Sequence, residues 1–128
     1  MKVGVIGANG QLGSDIVLAF LENGDDVIEL NHGRIELEQF ENLEKVLNEL
    51  QPEIIINTAA MHHLDECEQD PLKSFSVNSI GLKNLGLISK KLNCILVHIS
   101  TDYVFNGRKK TPYLESDIPS PLNVYGNT

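Results

Sequence analysis

A short apolar segment runs directly into three glycines at the start of the chain, and this feature constrains the fold most. Residues 2–13 read KVGVIGANGQLG, with Gly7, Gly10 and Gly13 spaced as G-x-x-G-x-x-G. The first glycine permits a tight turn after a strand, the second lets a diphosphate approach the backbone, and the third lets the next helix pack closely. Free N–H groups at that helix N-terminus attract phosphates. The segment therefore predicts a dinucleotide-binding βαβ unit, with a purely structural glycine turn as the alternative.

Segments with strand and helix patterns alternate along the rest of the chain. The predicted strands are residues 3–6, 27–30, 54–56 and 94–99, and the predicted helices are residues 11–23, 40–50 and 72–92. From Ser100 onward, Gly107 and three prolines predict a loop-like tail. The alternation predicts an α/β fold with a doubly wound, Rossmann-like parallel sheet of strand order 3-2-1-4. We treat residues 1–128 as one NAD(P)-binding Rossmann domain.

A sheet of four strands leaves this fold incomplete. Its fourth strand would be an exposed edge, and one helix layer would lack members. We therefore expect either self-association into a homo-oligomer or a disordered tail after about residue 107.

Composition narrows the classes of partner. The net charge of −8 disfavours binding to nucleic acid or to an anionic membrane, because both carry negative charge. Cys67 and Cys94 lack metal-ligand spacing, and the adjacent His62 and His63 form no recognised ligand pattern, so no metal site is predicted. Met1 leads straight into a strand pattern without a signal peptide. We expect a cytoplasmic protein with reduced thiols.

The end of the second strand bears on the choice between NADPH and NADH. An acidic residue there would bind the ribose 2′-hydroxyl and repel a 2′-phosphate. This chain has Asn31, His32 and Gly33 at that place, followed by Arg34, whose guanidinium is suited to a phosphate. We therefore predict NADPH as the cofactor, and the nearby Glu29 keeps NADH open.

Two later motifs make a family resemblance specific. STDYVFNG follows the fourth predicted strand, and PYLESDIPSPLNVYG begins at Pro112. Together with GANGQLG and INTAAMHHLDECE, these motifs resemble the dTDP-4-dehydrorhamnose reductase family, a branch of the extended short-chain dehydrogenases/reductases. The resemblance runs from residue 2 to residue 126. It implies an NADPH-dependent reductase that acts on a small nucleotide sugar, dTDP-4-dehydro-L-rhamnose, in dTDP-rhamnose biosynthesis.

The resemblance also implies roles for individual residues. Thr101 matches the family's catalytic hydroxyl, and Tyr125, which lies 24 positions later, matches its catalytic tyrosine. Glu36 replaces the family's usual aspartate near the adenine, and Asn78 matches the asparagine of a VN-x-x-G-x-x-NL helix. The residues expected to bind the cofactor are Gly7, Asn9, Gly10, Gln11, Leu12, Gly13, Asn31, Arg34, Glu36, Leu37, Ala59, Ala60 and Asn78. The alternatives are a turn-capping role for Thr101 and a surface position for Tyr125.

One position of the family pattern lies outside the chain. The family continues as Y-x-x-x-K, and its lysine would fall one residue beyond Thr128. We therefore expect the N-terminal, cofactor-binding portion of such an enzyme, without the substrate domain and inactive by itself. Two alternatives stay open: a non-catalytic NAD(P)-binding module, similar to the regulatory subunit of methionine adenosyltransferase, and another extended short-chain sugar-nucleotide enzyme. STDYVF followed by PLNVYG disfavours an epimerase.

Overall fold

The computed structural model describes residues 1–128. Four strands form one sheet, and they are β1 (Lys2–Ile6), β2 (Asp26–Leu30), β3 (Ile54–Asn57) and β4 (Ile95–His98). The α-helices are α1 (Gln11–Glu22), α2 (Phe40–Leu50), α3 (Leu64–Gln69), α4 (Pro71–Ser74), α5 (Gly81–Leu92) and α6 (Val124–Asn127). A π-helical turn spans Phe75–Ile80, and a 3₁₀ turn spans Asp102–Val104. No helix has the length and apolar character that a membrane crossing requires.

The sheet is entirely parallel, which confirms the predicted doubly wound α/β class, but its strand order is β2-β1-β3-β4. The predicted order 3-2-1-4 is wrong, because β3 pairs with β1 rather than with β2. That prediction requires a third strand outside β2, yet residues 31–39 form turns and no strand. The chain therefore crosses after α2 to the free side of β1. The connection from β1 to β2 and the connection from β2 to β3 run in opposite directions across the sheet. Because both crossovers are right-handed, α1 lies on one face of the sheet and α2 on the other.

Each face of the sheet has its own core. Alternate residues of the strands join α2 and α5 in the larger cluster, in which Leu43, Leu47 and Leu85 are fully buried. The amphipathic face predicted for α2 is thus confirmed. Val17 of α1 joins the smaller cluster on the opposite face. Beside that cluster, β4 forms the exposed edge that the sequence predicts, where Ile95 is 61% exposed.

The helix predicted over residues 72–92 is confirmed, and it contains a π-helical turn between its α-helical segments α4 and α5. The short helix α3 precedes it. Pro71 has no backbone N–H and stands at the first position of α4, and Asp70 caps that helix by accepting from the Lys73 N–H at 3.0 Å. A π-helical segment of this length is a local insertion within an α-helix, and the sequence analysis did not predict it.

The tail is not the loose segment that the sequence suggests. Ser120 N–H donates to the Val104 carbonyl at 2.8 Å, and Val124 N–H donates to the Glu68 carboxylate at 2.8 Å. The Ser79 hydroxyl donates to the Thr128 carbonyl at 2.7 Å. The contacts to Glu68 and Ser79 join the tail to the helices that follow β3. Self-association stays a prediction.

Candidate functional site

A cleft of about 580 Å³ opens at the carboxyl ends of β1, β2 and β3. This is the edge at which parallel α/β sheets bind ligands, beside the point where the winding direction reverses. Eight of the residues predicted to bind a cofactor line it: Gly7, Asn9, Gly10, Asn31, Glu36, Leu37, Ala59 and Ala60. The structure thus brings together segments that lie about 50 residues apart in the sequence.

The glycine turn forms the floor of the cleft. Gly7 has a φ of +78°, and a Cβ on Gly13 would lie only 2.1 Å from the Gly7 carbonyl oxygen. The start of α1 therefore lies directly against the turn, as predicted for the third glycine of the motif. No side chain caps the N-terminus of α1, and its first turn holds no acidic residue. Its N–H groups are thus available to an anion in the cleft. Gln11 and Leu12 lie on α1, outside the lining of the cleft.

The wall after β2 is organised by hydrogen bonds within its loop. The Asn31 side-chain oxygen accepts from the Asn9 N–H at 2.9 Å, which joins this wall to the glycine turn. The Glu36 carboxylate accepts from the Gly33 N–H at 2.9 Å and lies 3.2 Å from His32 Nδ1. The Gly33 N–H, assisted by His32, holds the pKa of Glu36 below its usual value. Glu36 therefore remains a carboxylate near neutral pH.

Arg34 does not line the cleft. Its guanidinium Nη1 donates instead to the backbone carbonyl of Glu29 at 3.2 Å. Among the side chains that line the cleft, only Lys73 belongs to lysine or arginine. The basic side chain that lines the cleft is therefore Lys73 of α4, and not Arg34 as the sequence suggested.

The wall after β3 is held by two asparagines. Buried Asn57 accepts from the Ala59 N–H at 3.2 Å, and its amide nitrogen lies 3.1 Å from His98 Nδ1. Asn78 accepts from the Met61 N–H and donates to the Met61 carbonyl, both at 2.9 Å. Asn78 thus fixes the loop beside the cleft without lining it.

Several lining residues were not among the predicted contacts. They are Ile6, Leu30, His32, Ile35, Glu38, Thr58, Met61, His62, His63, Glu66, Lys73 and Val77. The Thr58 hydroxyl donates to the Ile6 carbonyl at 2.8 Å and so bridges β1 and β3. The sequence could have indicated Thr58 as a lining residue, because it directly follows β3 and ligands bind at the carboxyl ends of parallel strands. Lys73 lies within the helix predicted over residues 72–92, but the periodicity of that helix does not indicate that Lys73 faces the cleft.

The two predicted catalytic residues do not line the cleft. They lie at the 3₁₀ turn and in α6, and these two elements contact each other. Thr101 precedes the 3₁₀ turn, and its hydroxyl accepts from the Tyr103 N–H at 3.2 Å. Thr101 thus has the turn-capping role that the sequence left as an alternative, and its hydroxyl donates to the neighbouring Asp102 carboxylate at 3.4 Å. Tyr125 lies in α6, with its ring 5.7 Å from that of Tyr103 in an edge-to-face arrangement.

Gly126 explains how α6 approaches the 3₁₀ turn so closely. A Cβ on Gly126 would lie 2.2 Å from the Tyr103 carbonyl oxygen. The Asn123 side chain caps α6 by accepting from the Gly126 N–H at 2.7 Å. Asn78 donates to the Thr128 hydroxyl at 2.9 Å. Tyr125 is therefore carried by a short helix that is fixed at both ends.

Comparison with known proteins agrees with this architecture. The family model described as the RmlD substrate binding domain matches residues 1–128. The spore coat polysaccharide biosynthesis protein SpsK of Bacillus subtilis is 36% identical over 99% of this chain and 45% of its own length. A dTDP-4-dehydrorhamnose reductase of Burkholderia thailandensis is 35% identical over 98% of this chain and 42% of its own length.

A solved structure of a relative has the same fold over nearly the whole chain. The dTDP-4-dehydrorhamnose reductase of Bacillus anthracis, in complex with NADP, superposes with a TM-score of 0.93 at 33% identity. The match covers 99% of this chain and 46% of that one, so the chain spans less than half the length of the relatives it matches. The match of the family model along residues 1–128 shows that the chain belongs to the RmlD family, the dTDP-4-dehydrorhamnose reductase type of sugar-nucleotide reductase.

Proposed function

We propose that residues 1–128 form the NAD(P)-binding domain of an NADPH-dependent reductase that converts dTDP-4-dehydro-L-rhamnose to dTDP-L-rhamnose. The observation that carries the proposal is the cleft itself. It combines an uncapped helix N-terminus, a glycine turn and an acidic wall at one end of a parallel sheet. This combination suits a dinucleotide, with the diphosphate at α1 and the adenosine toward Glu36. The NADP complex of the Bacillus anthracis relative supports the choice of cofactor.

The protein groups have distinct tasks in this proposal. Bound NADPH supplies the hydride that reduces the sugar carbonyl. Tyr125 donates its phenolic proton to the carbonyl oxygen, and Thr101 donates a hydrogen bond that orients the same oxygen. General acid catalysis of this kind contributes roughly 10²–10⁴-fold to the rate. The contact between the 3₁₀ turn and α6 supports a shared role for these residues, because it brings their elements together.

The reducing activity is tested in the full-length protein with dTDP-4-dehydro-L-rhamnose by following NADPH absorbance. Tyr125→Phe and Thr101→Ala should each lower kcat at least about 100-fold, because each removes one donor to the developing oxyanion. Tyr113→Phe is the matched control, since that hydroxyl contacts Asn106 and Lys109 and lies outside the proposed catalytic pair. Unchanged turnover in Tyr125→Phe would contradict the assignment.

A second candidate function is an NAD(P)-binding module without turnover. One observation favours it: neither Thr101 nor Tyr125 lines the cleft in which the cofactor would bind. Reading the coding sequence past the codon for Thr128 separates the two functions. A lysine codon at the next position, followed by a further domain, supports the reductase. A stop codon, with dinucleotide binding and no turnover, supports the module.

A further inference from the structure

A histidine and an asparagine contact each other at the carboxyl ends of the last two strands. Asn57 ends β3 and His98 ends β4, and the two residues are partners in the parallel register. The Asn57 amide nitrogen lies 3.1 Å from His98 Nδ1. The cleft wall follows Asn57 directly, whereas Thr101 lies three positions after His98. The contact therefore links the wall of the cleft to the segment that carries Thr101.

The surrounding hydrogen bonds fix the direction of this contact. The Asn57 side-chain oxygen already accepts from the Ala59 N–H at 3.2 Å, so the amide nitrogen is the atom that faces His98. A flipped amide would set its own N–H groups against the Ala59 N–H. His98 Nδ1 is therefore the acceptor, and the ring hydrogen of the neutral form lies on Nε2. An imidazolium carries a hydrogen on Nδ1 as well and would lose the contact.

Burial keeps the histidine neutral and makes the loss of its contact costly. Asn57 is only 1% exposed, so its amide N–H would be left without solvent as a substitute partner. Partial burial lowers the pKa of His98 below its usual value, and no charged group of β3, α5 or the following turn contributes to the shift. The rest of His98 is exposed, so solvent has access to the ring. The neutral form therefore predominates at neutral pH and is lost in acid.

The backbone beyond His98 has little other support from the sheet. The Ile99 N–H donates to the Asn57 carbonyl at 3.3 Å, and this is the last backbone hydrogen bond between the two chain segments. Thr101 lies two positions further on and caps the 3₁₀ turn. The wall that follows β3 has a second support, because Asn78 forms two hydrogen bonds with its loop. Loss of the His98 contact would therefore move Thr101 more than it moves the cleft wall.

We propose that His98 is a positioning residue for Thr101 and that it acts only as a neutral imidazole. Its Nδ1 atom accepts from Asn57 and so holds the end of β4 in register with the cleft wall. Protonation replaces this hydrogen bond by two opposed N–H groups and releases the segment that carries Thr101. This inference rests on the proposed reductase function, because Thr101 orients the sugar carbonyl in that reaction.

Steady-state kinetics of the full-length protein with dTDP-4-dehydro-L-rhamnose and NADPH test the inference. His98→Leu removes the acceptor and should lower kcat about tenfold, because it displaces Thr101. The Kd for NADPH should change less than about threefold, because the cleft wall keeps the hydrogen bonds of Asn78. His98→Asn should keep kcat within about threefold of the wild type, since the side-chain oxygen of asparagine lies as far along the side chain as Nδ1 and accepts the same hydrogen.

The pH dependence separates a requirement for neutral histidine from a simple loss of packing. In the wild type, kcat should fall as pH is lowered through the pKa of His98, whereas His98→Asn should lack this component. The ring of His98, titrated by NMR, should have a pKa below the ordinary value for histidine. Asn57→Asp should raise that pKa, because a carboxylate accepts from Nδ1 and stabilises the imidazolium.

The outcomes distinguish this inference from the reductase function. Equal losses of kcat in His98→Asn and His98→Leu, or the same loss of activity in acid for His98→Asn as for the wild type, would overturn the inference and leave the reductase function intact. So would a pKa of His98 that does not rise in Asn57→Asp. If His98→Leu does not fold, the other two variants still decide. A wild type that reduces no sugar at any pH would reject the proposed function and the role of Thr101 together.

Discussion

Replacing Gly13 by alanine tests the close packing of the nucleotide turn. The added Cβ would lie 2.1 Å from the Gly7 carbonyl oxygen and 2.9 Å from the Ala8 Cα, and contacts below 3.0 Å essentially do not occur. Both neighbours are backbone atoms, so α1 would have to retreat by about 0.9 Å. Such overpacking costs about 3 kcal/mol, and alanine returns about 1 kcal/mol of helix propensity. We expect a net loss of about 2 kcal/mol in the free energy of unfolding.

Gly86 supplies the matched control for this substitution. It lies in α5, and a Cβ there would meet nothing within 4 Å. Gly86→Ala should therefore stabilise the protein by about 0.5–1 kcal/mol through helix propensity alone. Urea denaturation followed by circular dichroism measures both variants against the wild type. If Gly13→Ala matched the wild type while Gly86→Ala gained stability, the argument from backbone contact would be refuted.

Further predictions concern the core, the loop after β2 and the helix that carries Tyr125. Leu47→Ala should cost about 2–5 kcal/mol in urea denaturation because Leu47 is fully buried, whereas exposed Leu114→Ala should cost little. The pKa of Glu36 lies below the unfolded value of 4.5, so its carboxylate stabilises the fold above that pH and loses this effect as pH falls through the folded pKa. Glu36→Gln should remove that part of the pH dependence, measured by denaturation between pH 3 and 7 in roughly unit steps. Gly126→Ala should lower kcat more than it raises the KM for NADPH, because its Cβ would displace α6 from the Tyr103 carbonyl rather than alter the cleft.

Much of the architecture follows from local patterns in the sequence. The bounds of α2 agree with its predicted residues, and the predicted strands agree to within about one residue at each end. These elements are recognisable because their apolar periodicity is set by burial on one face or two. The glycine turn was also predictable, since its residues are required by backbone geometry. Local reasoning succeeds where the constraint is contained within a few neighbouring residues.

The remaining features depend on contacts that no local pattern records. The order of strands depends on whether a strand forms between Leu30 and α2, and the loop there is instead stabilised by the Glu36 carboxylate. The Arg34 guanidinium is placed by its hydrogen bond to the Glu29 carbonyl. Lys73 lines the cleft from α4, beside the Glu38 carboxylate, and this contact joins residues 35 positions apart in the sequence. Each of these outcomes is decided by tertiary contacts rather than by propensity.

The cleft and the proposed catalytic pair are supported by the same residues. Asn78 holds Met61, which lines the cleft, and also donates to Thr128 at the end of α6. Glu68 of α3 accepts from the Val124 N–H at the start of α6, two positions after Glu66 of the cleft wall. A shift of the wall after β3 would therefore move Tyr125 as well. In the proposed reductase, positioning errors of about 1 Å would cost on the order of 100-fold in rate, so this shared support would make turnover depend on the asparagine of the VN-x-x-G motif without any contact to a reacting atom.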